Sequence, residues 1–237
     1  MYKIIAKQKN KTNMKSIKLS LVVLFSLVAV SVNSQSLTKD FTVNGTLQTG
    51  ANYLPLLGIH GSKNMALYTD LMAFHKSGFG VAYFAYDDFS KEETGRIRFV
   101  DAAYTGSWNN FSLYSAFEYV WYDNWSDGES VMPYAILTYA PNSWSYEVAP
   151  MLTYFPHFSE NKYEFTAYAK VTKTVLKDVD IHATVWYDNV YEDHFYGAVG
   201  LKVNLPSNFY VMGNLLYKEG DKFTPFINVG WKFSTSK

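Results

Sequence analysis

The chain has 237 residues, with 21 basic and 21 acidic side chains, 18% aromatic residues and no cysteine. A chain of this length can bury a full core as one domain, and all-β barrels of this size are ordinary. The absence of cysteine excludes a disulfide framework, a thiolate nucleophile and a cysteine-ligated metal site.

The N-terminal region carries the pattern of an export signal. From Met14, a lysine-bearing start precedes an apolar stretch and then small residues before Gln35. This is the pattern of a secretory signal peptide, whereas an anchoring helix is disfavoured because polar residues follow at once. We predict a signal peptide over residues 1–34, cleaved near Ser34 and with an upstream extension before Met14, followed by one domain over residues 35–237. Residues 1–34 hold six lysines and no acidic residue, so 15 basic and 21 acidic side chains remain and the exported protein is acidic.

Beyond the signal, apolar residues recur at every second position, which is typical of β-strands with two unlike faces. We predict an all-β protein with about twelve strands of about ten residues each. Two of these strands, around residues 79–87 and 97–105, are apolar on both phases, which leaves their facing open. The apolar phase of the others comprises Phe41, Val43, Leu47, Met65, Leu67, Leu71, Ala73, Phe111, Leu113, Phe117, Tyr119, Val131, Ala135, Leu137, Tyr139, Trp144, Tyr146, Val148, Leu152, Tyr154, Tyr163, Phe165, Ala167, Val171, Val179, Ile181, Ala183, Val185, Tyr187, Phe195, Val199, Leu201, Val203, Phe209, Val211, Leu215, Tyr217, Phe223, Ile227, Val229, Trp231 and Phe233.

The connections between these strands alternate between short and long. Short turns on one rim and longer loops on the other are expected of an up-and-down transmembrane barrel. An even number of strands then places both termini on the short-turn rim, the periplasmic side of such a barrel. The short connections include residues 76–78, 140–143, 175–178 and 205–208, and the longer ones include 87–95, 122–130, 155–162, 187–193 and 217–222.

Two environments could explain the apolar phase. In a soluble sandwich it packs against a second sheet, whereas in an outer-membrane barrel it faces lipid and the polar phase lines the lumen. Tryptophans near strand ends favour the second reading, because amphipathic rings form girdles at both membrane interfaces, although such rings are enriched in any β-sheet. We predict a transmembrane antiparallel up-and-down β-barrel of about 12 strands (range 10–14) in the outer membrane of a Gram-negative cell. The tryptophans are Trp108, Trp121, Trp125, Trp144 and Trp231.

Two local features complicate the strand pattern. Pro133, Pro150 and Pro225 lie inside predicted strands, where proline cannot donate to the ladder, so we expect bulges or strand starts there. The apolar stretch LPLLGIHG from Leu54 is predicted either to fold into the lumen as a constriction or to extend the second strand.

The last strand, FTPFINVGWKF from Phe223, ends in GWKF at residues 230–233. It resembles bacterial outer-membrane barrels, whose last strand ends in an aromatic residue recognised by the assembly machinery, although STSK follows here. A barrel of this size and strand number resembles the nucleoside-specific (Tsx-like) channels. The resemblance implies the barrel-assembly machinery, outer-membrane lipid and lipopolysaccharide as partners of a monomer, and a small solute as its cargo.

If the apolar phase faces lipid, the opposite phase lines the lumen. Its aromatic rings offer stacking surfaces to planar or sugar-like solutes, and its charges tune which ions pass. The alternative is that these side chains fill the barrel and satisfy one another, since about twelve strands lies between small filled barrels and open porins. The lumen-lining candidates are Asp70, Tyr114, Glu118, Tyr134, Glu147, Glu164, Tyr168, Lys170, Asp180, His182, Trp186, Tyr196, Lys202 and Tyr210.

We predict a narrow channel for small hydrophilic solutes, nucleoside-like or similar. A plugged structural or surface-interaction barrel, with its acidic longer loops as the surface, is the alternative. A lipid-modifying enzyme ranks third, because neither G-x-S-x-G nor H-E-x-x-H occurs. His182, two residues from Asp180, would be oriented in such an enzyme by a carboxylate of a neighbouring strand. No cofactor, metal or nucleic acid is expected, since the chain has no phosphate-cradling loop, basic stripe or ligand cluster.

Overall fold

The computed structural model describes residues 40–54, 59–88, 96–122, 125–157, 162–189, 194–218 and 223–235. The chain divides into two compact units, Met1–Phe41 and Thr42–Lys237, and the second carries the barrel. The predicted signal peptide lies outside the described residues. Within the described ranges the strands are β1 (Phe41–Leu54), β2 (Ile59–His75), β3 (Phe79–Asp88), β4 (Arg96–Trp108), β5 (Phe111–Tyr122), β6 (Trp125–Tyr139), β7 (Trp144–Tyr154), β8 (Tyr163–Leu176), β9 (Val179–Asp188), β10 (His194–Asn204), β11 (Phe209–Lys218) and β12 (Thr224–Ser234), with one 3-10 turn at Pro206–Asn208.

The twelve strands form one closed antiparallel barrel in which each strand lies beside its neighbours in sequence and β1 closes on β12. The closing register runs from Asn44 opposite Ser234 to Gly50 opposite Asn228. The seam is fastened at its end, where Thr235 exchanges two hydrogen bonds with Val43, each 2.9 Å long. Closure removes every exposed sheet edge. The prediction of an up-and-down barrel of about twelve strands is confirmed.

The outside of the barrel is apolar. Ile227 is 66% exposed and Val185 is 60% exposed, whereas Tyr86, on the opposite phase, is 1% exposed. An exposed apolar band around a closed barrel is the surface that a lipid bilayer covers. Along the described strands the exposed phase is the apolar phase predicted from the sequence, so the prediction of its facing is confirmed.

The structure shows which side chains point outward on the two strands whose facing the sequence left open. On β3, Phe79 and Val81 point outward, and on β4 Val100 and Tyr104 do so. The inward phase of these strands is also apolar, because Ala82, Phe84, Tyr86, Ile97 and Phe99 pack together inside the barrel.

Aromatic residues stack at both ends of the barrel. On the short-turn rim the rings of Trp108, Phe111, Tyr139, Tyr146 and Trp144 form a continuous series, with neighbouring centroids 4.7 to 6.3 Å apart. The other rim carries ring pairs, and the side chain of Trp125 lies outside the described residues. These are the girdles expected where lipid meets water. The pairs are Tyr119–Trp121, Tyr154–Tyr163, Tyr187–Phe195 and Tyr217–Phe223.

The short turns use residues that tolerate a left-handed backbone. Asn109 and Asn142 have φ values of 51° and 55°, and Gly78 has a φ of 92°. A Cβ on Gly78 would also lie 2.2 Å from the carbonyl oxygen of Thr105. Asparagine and glycine populate this region at low cost, which permits turns this tight. Among the described residues, no helix is long and apolar enough to cross a membrane.

The prolines are accommodated in two ways. Pro225 is the second residue of β12, near the strand start that we expected. Pro133 and Pro150 lie in continuous register with β5 and β8, so the bulges expected there are wrong. Both are exposed, on the facing strands β6 and β7. The missing N–H groups therefore weaken the ladder without shifting its register.

The apolar LPLLGIHG stretch is only partly described. Leu54 ends β1 and Ile59 begins β2, so the last part of the stretch belongs to the second strand. Residues 55–58 and the side chains of residues 51–65 lie outside the described part of the chain, and the predicted constriction with them.

Candidate functional site

The fourteen predicted lining residues all lie on the phase opposite the exposed apolar residues, as the strand registers and side-chain burial show. The structure brings most of them together in three groups. One is acidic with tyrosines, one is aromatic, and one is built from lysines. Glu164 stands apart, at the long-loop end of β8, where Thr166 donates a hydrogen bond of 3.2 Å to its carboxylate.

The acid–tyrosine cluster comprises Asp101, Glu118, Tyr114 and Tyr134. Asp101 and Glu118 are directly opposite each other on β4 and β5, and they are 0% and 2% exposed. The hydroxyls of Tyr114 and Tyr134 both donate to Oδ2 of Asp101, at 2.5 and 2.7 Å. Oδ1 of Asp101 and Oε1 of Glu118 are buried and have no hydrogen-bond partner among the described residues. The cluster therefore ties three strands together at one carboxylate.

Asp101 was missed from the sequence because it lies on a strand whose facing was ambiguous. A third acid, Asp70 on β2, is buried beside it in the same arc of the wall and receives hydrogen bonds from the side chain and backbone of Thr46. The described inward positions of β2 to β5 include no lysine, arginine or histidine. This arc of the lumen is acidic, and its charges are withdrawn from solvent.

The lysine–tyrosine site comprises Lys202, Tyr210 and Lys232, on β10, β11 and β12. The amino groups of Lys202 and Lys232 lie 5.1 and 5.5 Å from the centroid of the Tyr210 ring. The Tyr210 hydroxyl donates to Oε1 of Gln48 on β1 at 2.6 Å, which fixes the ring. A cation near an aromatic face is attracted by the ring quadrupole. Gln48 was absent from the predicted set, since nothing local marks it as a partner of Tyr210.

Two glycines let side chains lie flat against this part of the wall. A Cβ on Gly230 would lie 2.2 to 2.5 Å from the outer atoms of the Tyr210 ring. A Cβ on Gly200 would meet Oδ1 of Asn214 at 2.3 Å and Nε2 of His182 at 2.4 Å. His182 and Asn214 are hydrogen-bonded across Gly200 at 2.8 Å. The glycines therefore create a shallow polar floor around Lys202.

Lys170, on β8, extends the cationic side of the lumen. Its amino group lies 3.9 Å from Oε1 of Glu147, which also accepts a hydrogen bond of 2.5 Å from Tyr168. Lys170, Lys202 and Lys232 thus occupy alternate strands, across the barrel from Asp101 and Glu118. Asp70 is nearer, because it is bonded to Thr46, the residue opposite Lys232 on β1. Unlike those acids, the three lysines are partly or fully exposed to solvent. Accessible acids lie on the same side, because Glu147, Glu164 and Asp180 are half-buried. Lys202 and Lys232 differ from Lys170 in having no ion pair among the described residues.

The half of the lumen nearest the long loops is closely packed, with two apolar clusters and buried polar side chains such as Thr153, Thr166 and Asp188. One cluster gathers Tyr168, Trp186 and Tyr196 around Met132 and Met151, and the other is the β2–β5 cluster around Tyr86 and Phe99. Trp186 is 3% exposed and stacks on Tyr196, with centroids 5.6 Å apart and planes 16° apart. These side chains therefore cover the wall at this level and are themselves shielded from solvent.

No protein-family model and no curated protein matches the chain by sequence. Solved structures do match it. A KdgM porin aligns with a TM-score of 0.58 and 13% identity over 81% of this chain and 98% of its own, and a NanC porin with a TM-score of 0.56 and 11% identity over the same shares. The fold is that of an outer-membrane porin. A KdgM porin in complex with disordered oligogalacturonate matches equally well, with a TM-score of 0.57.

The prediction of an outer-membrane barrel is thereby confirmed, whereas nucleoside specificity stays a prediction. The solved structures named above are porins rather than enzymes. His182 is held by the amide of Asn214, so the expectation that a carboxylate of a neighbouring strand orients it is wrong. His182 instead belongs to the polar floor beside the lysine–tyrosine site.

Proposed function

We propose that the protein is a narrow channel for small hydrophilic solutes. The observation that carries this proposal is a set of solvent-exposed polar and cationic side chains inside a closed barrel whose outside is apolar. A barrel that served only to fill its own interior would pair these charges with one another. Lys202 and Lys232 instead meet the Tyr210 ring and make no ion pair among the described residues. The porin fold of the matched structures is consistent with this function.

Nucleoside-like solutes are the class we propose to test first. They combine a planar base with a hydroxylated sugar, and the lumen combines tyrosine and tryptophan rings with amide, hydroxyl and amino groups. Stacking of one base on an aromatic ring contributes about 1–3 kcal/mol in nucleic-acid binders. Rings available at the polar level include Tyr114 and Tyr134, which are half-buried.

A plugged structural barrel is the second candidate function, and the apolar packing near the long loops favours it. Trp186, Tyr196 and Tyr86 are all nearly inaccessible to solvent, so passage at this level requires side-chain movement or a bore along the barrel axis. The predicted surface for partner binding, the longer acidic loops, lies mainly outside the described residues. Export by the signal peptide, assembly by the barrel-assembly machinery, contact with lipopolysaccharide and a monomeric state also remain proposals.

Single-channel recording tests the channel directly. The protein purified from outer membranes would be inserted into planar bilayers, and adenosine, uridine and glucose would be added in turn. Discrete conductance steps that a solute reduces establish a pore and its solute class. If the protein gives no conductance although its β-type circular dichroism shows that the barrel is folded, the channel proposal is overturned in favour of a plugged structural barrel.

We expect Trp186→Ala to increase single-channel conductance severalfold. Removing the indole deletes the largest ring from the packed aromatic layer and opens the bore where its walls are buried. Phe195→Ala is the matched control, because Phe195 neighbours the same layer but is exposed on the outer face of β10. Equal conductance for the wild type and Trp186→Ala would place the narrowest point elsewhere.

A further inference from the structure

The lysine–tyrosine site holds two positive charges that have no direct ion-pair partner among the described residues. Lys202 and Lys232 surround one ring, and the described residues show no carboxylate within ion-pairing distance of either amino group. Asp180, opposite Lys202 on β9, accepts hydrogen bonds from Thr174 at 2.8 Å and Asn204 at 3.4 Å instead. Two ammonium groups crowded around one ring repel each other unless an anion joins them.

The described acids elsewhere in the lumen make no direct ion pair with either amino group, and most are engaged by other partners. Asp101 and Glu118 belong to the acid–tyrosine cluster, across the barrel and closed to solvent. Asp70 is buried and bonded to Thr46. Glu147 is occupied by Lys170 and Tyr168. An anion from outside the protein would therefore be the direct ion-pair partner that the two amino groups lack.

The surroundings of the lysines also suit a polar ligand. The Tyr210 ring is held rigidly by Gln48 and lies flat because position 230 is glycine. On the other side of Lys202, the side chain of Asn214 is 6% exposed, and its Nδ2 group has no hydrogen-bond partner among the described residues. An amide donor, two ammonium groups and a fixed ring edge form a site that offers donors and few acceptors.

We propose that the lysine–tyrosine site binds the oxyanion group, carboxylate or phosphate, of a small hydrophilic solute, and this inference rests on the proposed channel function. The oxyanion would lie between the amino groups of Lys202 and Lys232, where charge-assisted hydrogen bonds are strongest. The uncharged part of the solute would lie over the glycine floor beside Tyr210 and Asn214. The channel thus prefers anionic solutes although the exported chain is acidic overall.

Matched solutes separate the two sources of the oxyanion. Glucuronate and glucose differ by a carboxylate, and adenosine monophosphate and adenosine differ by a phosphate. Affinity would be measured by isothermal titration calorimetry on the detergent-solubilised protein purified from outer membranes, alongside block of single-channel current. We expect one or both charged members to bind at least about tenfold more tightly than their neutral partners.

The double variant Lys202→Gln/Lys232→Gln is expected to abolish this preference and keep the affinity for the neutral solutes. Lys173→Gln is the matched control, since Lys173 packs over Trp144 on the outer side of the barrel. A preference that survives in the double variant, or equal affinity for charged and neutral solutes in the wild type, overturns the oxyanion site. A silent bilayer with selective calorimetric binding would overturn the channel and keep the site.

Discussion

Gly230→Ala is expected to lower the free energy of unfolding by about 1–3 kcal/mol, the cost of overpacking a filled site. The new methyl group would overlap the Tyr210 ring, which is 4% exposed and has little room to retreat. If the ring tilts away, its hydroxyl leaves Gln48 and the two lysines lose the face that they share. We therefore also expect the preference for charged solutes to weaken. Urea unfolding in detergent micelles, followed by tryptophan fluorescence, measures the stability change.

Gly213→Ala is the control for this variant. Gly213 lies on β11, its outward side meets no atom within 4 Å, and an added methyl group would project toward lipid. Since alanine restricts the unfolded chain more than glycine does, this substitution should leave stability unchanged or raise it by less than about 1 kcal/mol. Equal losses in the two variants would show that the contact between Gly230 and Tyr210 is unimportant.

The facing of the strands could be predicted because lipid imposes a strict rule. Each strand that crosses the membrane must present apolar residues on every second position, and Val179, Ile181 and Val185 on β9 display that rule plainly. The rule fails where the inner face is also apolar. Phe84 and Phe99 belong to the packed half of the lumen, so β3 and β4 carry apolar residues on both phases. Which phase of these two strands faces lipid is therefore set by their pairing with the neighbouring strands of the barrel.

The contacts between side chains inside the lumen were harder to predict than the identity of the residues that line it. The alternation of apolar and polar residues indicates which side chains point inward. The hydrogen-bond partner of each side chain, however, depends on the strand register and on the length of the side chain. His182 meets Asn214, 32 residues later, and Tyr210 reaches Gln48 across the closing seam, 162 residues earlier. Neither pair has a local signature. Gly200 and Gly230 are informative only once the side chains lying over them are known.

Charge distribution shows why composition misleads here. Residues 35–237 carry 21 acidic and 15 basic side chains, a balance that by itself favours cationic solutes. Within the barrel, however, Asp101, Glu118 and Asp70 are buried, whereas Lys202 and Lys232 remain accessible. Selectivity in a pore depends on the charges that a solute can approach. The proposed preference therefore rests on Lys202 and Lys232, which are accessible and make no ion pair among the described residues.

Two substitutions in the acid–tyrosine cluster are expected to have different effects on the free energy of unfolding. Asp101→Ala removes the acceptor of both tyrosine hydroxyls and is expected to lower the free energy of unfolding by about 3–6 kcal/mol, the contribution of two hydrogen bonds to a charged group. Glu118→Gln removes one of two adjacent buried carboxyl groups and supplies an N–H that can donate to Asp101, so we expect stability to be unchanged or to rise by about 1 kcal/mol.

Asp101→Asn separates the hydrogen bonds from the charge in this cluster. The asparagine keeps one oxygen that can accept from Tyr114 and Tyr134, so this variant should lose much less stability than Asp101→Ala. Urea unfolding of the three variants in the same micelles gives the comparison, with Ser115→Ala on the outer face of β5 as the control. If Glu118→Gln proves as damaging as Asp101→Ala, the carboxyl group of Glu118 stabilises the cluster in a way that an amide does not replace, and the expected gain is wrong. If all three variants match the wild type, the cluster does not fasten β4, β5 and β6 together, and closure of the barrel alone stabilises this wall.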